Sequence, residues 1–145
     1  MNAEVGLLDT STVILLPRLR DQRALPNSSV ISAITLAELS VGPLVTTDEA
    51  ERAARQAELQ EAEATFQVVP FDSQAARAFG GVASSLRRSG RKTSARSYDA
   101  MIAAVAIAND LPLFTCNPGD FEGIDGLNVV AVPHPDLVGD GSPTA

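Results

Sequence analysis

The chain has 145 residues, a formal net charge of −7, a 45% hydrophobic share with only 4% aromatics, one cysteine, one histidine and no tryptophan. That length suits one domain with a real core, built here from Ala, Val, Leu and Ile. The lone cysteine excludes an internal disulfide or a thiolate zinc cluster, and the lone His134, in the proline-flanked VPHPD, leaves Ser/His/Asp and Cys/His chemistry without its parts.

The leading MNAEVGLLDTSTVILL has no basic start, and Asp9 interrupts its apolar run. No other uncharged apolar run approaches the roughly 18 residues of a membrane span. A soluble cytoplasmic protein with no membrane partner is expected.

EVGLLD (4–9) is a short apolar run ending in an acid, and TSTVILL begins a helix. SSVISAIT (28–35) is a β-branched run followed by the helical LAELSVGPL. DEAERAARQAELQEAEATF (48–66) has apolar positions on one side and charges on the other, the pattern of an amphipathic surface helix. QVVPF is a third short strand. DSQAARAFGGVASSLRRSG (72–90) opens on a good N-cap and closes on Gly90, with Gly80 and Gly81 weakening its middle.

An almost wholly apolar helix follows at 98–109, stopped before Pro112. LPLFT and LNVVAV are strands four and five, separated by the turn-rich NPGDFEGIDG. The domain is expected to span residues 1–132, with 133–145 a frayed, disordered tail. Short apolar strands alternating with helices predict an α/β fold, a mostly parallel sheet with helices on both faces.

Four acids then stand out. Asp9 ends strand one, Glu38 falls in the first turn after strand two, Asp99 in the first turn of its helix, and Asp120 just beyond strand four. In an open parallel sheet these places share one edge, where ligands bind at the switch in strand order. Each acid alone has an ordinary reading: Asp9 as an N-cap, Thr35 and Glu38 as a T-x-x-E capping box, Asp99 answering a helix dipole, Asp120 steadying its turn.

Together they repel one another unless a cation neutralises them, and oxygen ligands without thiolate or imidazole favour Mg²⁺ or Mn²⁺. The acidic net charge argues against a nucleic-acid partner, but its distribution argues back. LRRSGRKTSAR carries Arg87, Arg88, Arg91, Lys92 and Arg96, five of eleven basic residues, and leads into Asp99. Such a segment would hold a phosphate backbone beside the acids.

LLDTS (7–11), TLAEL (35–39), SYDAMIAAVA (97–106) and TCNPGDF (115–121) resemble, in order and spacing, the four acidic motifs of PIN-domain ribonucleases, particularly the toxins of VapBC toxin–antitoxin pairs. The resemblance spans roughly residues 4–132. It implies a five-stranded parallel sheet and an endoribonuclease using a metal-activated water at a Mg²⁺ or Mn²⁺ site lined by Asp9, Glu38, Asp99 and Asp120. Asp9 and Asp99 are the implied ligands, and Glu38 holds the ion or a water on it. Asp120 comes from the turn.

Thr115 and Asn117 match small polar positions that orient carboxylates or water, or else serve the turn at a strand end, and Thr10 and Ser11 either support the site in the same way or merely start the helix. Cys116 departs from the polar or basic residue often found at its place and reads as a small buried hydrophobe. The resemblance further implies a homodimer, an RNA substrate and a cognate antitoxin seated near the acids. A phosphoacceptor receiver domain needs a late lysine, and the only lysine is Lys92. A PIN fold kept only for protein binding is the remaining alternative.

Overall fold

The computed structural model describes residues 4–92 and 96–136. Five strands, β1 (Val5–Leu8), β2 (Ser28–Ser32), β3 (Gln67–Val69), β4 (Leu113–Thr115) and β5 (Val129–Ala131), form one sheet in the order β3-β2-β1-β4-β5. Every pairing is parallel. The helices are α1 (Thr10–Leu15), α2 (Ala33–Val41), α3 (Glu49–Thr65), α4 (Ser73–Arg88) and α5 (Ser97–Ala108).

The alternation of the strands explains the two cores. Leu7 lies in register with Val30 and Leu113, Leu8 with Ile31 and Phe114. Successive side chains point to opposite faces. Leu7, Val30 and Leu113 therefore join Val82, Leu86 and the buried run Ile102–Ala106 on one face. Leu8, Ile31 and Phe114 meet Leu39, Ala62 and Cys116 on the other.

Gly6 lets β1 and β4 close up: a Cβ there would stand 2.6 Å from the Phe114 ring. α4 runs unbroken through Gly80 and Gly81, because both lie on its open side while Ala75, Val82, Ser85 and Leu86 are buried. Its end is a Schellman turn around Gly90 (φ 83°), with Gly90 N donating to Arg87 O and Arg91 N to Leu86 O.

One boundary differs from expectation. β2 stops at Ser32, whose side chain accepts from Ile34 N at 3.0 Å and Thr35 N at 3.2 Å, so α2 starts at Ala33. The T-x-x-E box does not form, and Glu38 sits in the second turn. Ser32 wins because a serine cap engages the free N–H groups three residues sooner.

Of the expected tail, residues 133–136 are held: Pro135 is buried, and Asp136 pairs with Arg18. Residues 137–145 lie outside the described residues. No helix among the described residues is long and apolar enough to cross a membrane.

Candidate active site

The chain runs outward from β1 through β2 to β3, then crosses to β4 on the other side of β1. The switch in strand order thus falls between β1 and β4, and the segments leaving their carboxyl ends flank a crevice. Asp9 leaves β1, Thr115 ends β4, and Cys116 to Asp120 leave it.

Asp9 caps α1 and is only 3% exposed. Its Oδ1 accepts from Thr12 N at 3.2 Å and from the Thr12 hydroxyl; its Oδ2 accepts from Ser11 Oγ at 3.1 Å and Thr115 Oγ1 at 3.0 Å. Burial pushes its carboxyl above the ordinary value, and these hydrogen bonds pull it back. Glu38 Oε1 accepts from Thr10 Oγ1 at 2.5 Å. The Thr10 hydroxyl is also bonded to that of the buried Thr35 at 2.9 Å, which ties α1 to α2. Burial raises the Glu38 carboxyl, the Thr10 bond lowers it, and the charge of Asp9 raises it again.

Asp99 occupies the first turn of α5. Burial pushes its pKa from 3.8 to about 6, helped by the negative charges of Asp120, Asp9 and Glu38, in that order, and opposed by Arg96. Asp99 therefore feels all three other acids that the sequence singled out. Asp120 lies in a 3-10 turn (Pro118–Phe121), where it accepts from Arg96 at 3.0 Å; the same guanidinium is 4.0 Å from Asp99.

The basic segment divides. Arg96 belongs to the acid cluster. Arg91 donates to the carbonyls of Gly119 at 3.2 Å and Glu122 at 3.0 Å, bracing the turn that carries Asp120. Arg88 pairs with Asp125 at 2.5 Å. Arg87 and Lys92 stand exposed at the end of α4 and just beyond it.

Asn117 donates through Nδ2 to Ser11 Oγ at 2.9 Å, and Thr115 accepts from Asn117 N at 2.9 Å, so both touch the Asp9 surroundings. Thr12, fully buried, was missed by sequence reasoning; it bonds Asp9 and accepts from Cys116 N at 3.0 Å. Its signal was the spacing from Asp9, the third helical position that a cap engages. Cys116 is buried and its thiol is pushed up by burial, as an inert core residue.

An open parallel sheet with helices on both faces and an acidic crevice at its switch point defines a doubly wound α/β protein. The chain belongs to the PIN domain family, whose model matches residues 7–127. Ribonuclease VapC5 of Mycobacterium tuberculosis is 37% identical over 129 residues, 88% of this chain and 93% of that protein. Ribonuclease VapC1 of Rickettsia felis is 29% identical over 133 residues, 90% and 98% of the two chains. Among solved structures, VapBC-5 from M. tuberculosis, of the VapBC family of toxin–antitoxin systems, matches with a TM-score of 0.76 and 32% identity over 89% of this chain and 99% of that one. DNA-bound VapBC from Salmonella typhimurium matches with a TM-score of 0.71 and 27% identity, over 89% and 97%.

Proposed function

We propose that this protein is an endoribonuclease toxin that hydrolyses RNA phosphodiester bonds at the crevice of Asp9, Glu38, Asp99 and Asp120, needs Mg²⁺ or Mn²⁺, acts in the cytoplasm as a homodimer, and is restrained by a cognate antitoxin. The observation that carries this reading is the convergence of the acids: Asp9 leaves β1 at the switch in strand order, Thr10 ties Glu38 to the same helix start, and Asp99 and Asp120 share the Arg96 guanidinium, a crowding that raises the Asp99 carboxyl. Such crowding is what a divalent cation relieves.

The donors fit a hard ion, being carboxylate oxygens without thiolate or imidazole. Among the described residues no three acidic, histidine or cysteine side chains make a ready cage. Asp9 and Asp99 are the ligands we assign, with Glu38 and Asp120 at the margin; an ion with few protein ligands and much retained water is the habit of Mg²⁺. When bound, the cation supplies charge neutralisation at phosphorus and a more acidic water.

The chain's own groups do the rest. Thr12 and Thr115 orient Asp9, Thr10 fixes Glu38, and Arg96 steadies Asp120 beside Asp99. Arg87 and Lys92 hold the RNA backbone. For the antitoxin, an apolar groove between α1 and α3, lined by Val13, Ile14, Leu16, Leu39 and Phe66 with Glu58 and Glu61, adjoins a hollow that includes Thr10 and Glu38. An apolar segment seated there would reach the acids.

The test is to incubate the purified protein, free of partner, with a panel of structured RNAs in Mg²⁺ or Mn²⁺, then with EDTA, beside Asp99→Asn. Cutting that needs metal and vanishes in the variant supports the nuclease. Partner binding with no cutting favours the protein-binding module.

A further inference from the structure

Three hydroxyl groups surround Asp9, and each already accepts an N–H from the segment that leaves β4. Cys116 N donates to Thr12 Oγ1 at 3.0 Å, Asn117 N to Thr115 Oγ1 at 2.9 Å, and Asn117 Nδ2 to Ser11 Oγ at 2.9 Å. A hydroxyl has one proton to give, so each turns that proton towards Asp9. Thr12 gives it to Oδ1, which also takes Thr12 N, while Thr115 and Ser11 give theirs to Oδ2. A carboxylate has about four lone-pair sites, and four donors fill them.

The four donors are not equally fixed. Thr12 and Thr115 are fully buried, whereas Ser11 is only half-buried at the start of α1. Both bonds to Oδ1 come from one residue, Thr12, which is also locked to the backbone of Cys116. Oδ1 therefore cannot be freed without breaking a buried link between the ends of β1 and β4. Opening one lone-pair site on Oδ2 takes only the departure of Ser11, with Thr115 still bound at the other.

We propose that Thr12 is a positioning residue for the cation: it keeps Oδ1 of Asp9 engaged with the protein, so that Oδ2 faces the ion, which replaces the Ser11 hydrogen bond. This rests on the divalent-metal reading of the acidic crevice. A purely structural Thr12 would tie the two strand ends together and leave ion affinity unmoved once the protein is folded.

The experiment is isothermal titration of the full chain, free of partner, with Mn²⁺ alone, with melting temperature as the check on folding. Thr12→Val, which keeps the shape and loses the hydroxyl, is expected to bind Mn²⁺ about 10- to 100-fold more weakly, the range for groups that orient a metal ligand, and Thr12→Ser to return within about twofold of wild type. Ser11→Ala is expected to bind as tightly as wild type or more so.

A folded Thr12→Val with wild-type affinity overturns the proposal while the metal reading stands. So does a roughly tenfold loss in Ser11→Ala, which decides the matter even if Thr12→Val fails to fold. Wild-type protein that takes up no Mn²⁺, or Asp99→Asn that binds it unchanged, overturns the metal reading and this proposal with it.

Discussion

Arg96 donates to Asp120 at 3.0 Å, joining the start of α5 to the turn after β4. With Asp99 only 4.0 Å away, one guanidinium serves as the internal counterion of two acids. At Asp99 the electrical consequence is direct, because Arg96 is the one influence that lowers its carboxyl against burial and three negative neighbours.

Arg96→Gln should therefore raise Asp99 above about 6 in the metal-free protein. Carbon-13 NMR titration of the side-chain carboxyls reads this directly. An unmoved Asp99 would show that Arg96 screens Asp120 alone.

The same shift sets a pH dependence of stability. The folded Asp99 titrates near 6 against an ordinary 3.8, so its protonated form favours the fold. That contribution is complete below about 3.8 and is lost as pH rises through about 6. The raised carboxyls of Asp9 and Glu38 act in the same direction. Urea midpoints of the metal-free protein should fall between pH 4 and 7 by the share these three groups carry, and Asp99→Asn should lessen the fall and be the more stable form at neutral pH. A variant with the same pH slope as wild type would contradict the assignment.

A packing prediction tests the strand pair beneath the site. A Cβ on Gly6 would lie 2.6 Å from two carbons of the Phe114 ring and 3.0 Å from Pro26 Cβ. Phe114 is 2% exposed and has nowhere open to move. Gly6→Ala should cost roughly 1–3 kcal/mol by overpacking, measured by chemical denaturation, with Phe114→Leu in the same chain recovering part of it.

These contacts also mark what the sequence could and could not reveal. Leu7 and Leu8 face opposite cores because strand side chains alternate, and the unbroken apolar run in EVGLLD already fits a strand covered on both faces. The four acids could be placed on one edge for the same reason, since strand ends and helix starts share it. The start of α2 differs from expectation because Ser32 and Thr35 are both good caps, and in the structure Ser32 takes the free N–H groups while the Thr35 hydroxyl is bonded to Thr10, a partner 25 residues away. The basic run looked uniform because its partners lie far along the chain: Asp125 is 37 residues from Arg88, and Asp120 is 24 from Arg96. The link from Thr12 to Cys116 is not legible in the sequence, because the two residues are 104 positions apart.

That division of the basic segment gives the last prediction. Arg91, with a side chain only 27% exposed, spends its donors on the carbonyls of Gly119 and Glu122. Arg87 and Lys92 are exposed, and the proposed nuclease assigns the phosphate contacts to them. In an Asp99→Asn background that binds without cutting, RNA affinity should fall with rising salt, and Arg87→Ala or Lys92→Ala should each lower the slope of that dependence by about 0.7 for single-stranded RNA. Arg91→Ala should leave the salt slope nearly unchanged and instead speed amide exchange at residues 119–122, as the turn beneath Asp120 loosens. Fluorescence anisotropy across a salt series, paired with hydrogen exchange, separates the two classes. If Arg91→Ala lowers the slope as much as Arg87→Ala and leaves exchange unaltered, the whole run acts as one phosphate-binding strip.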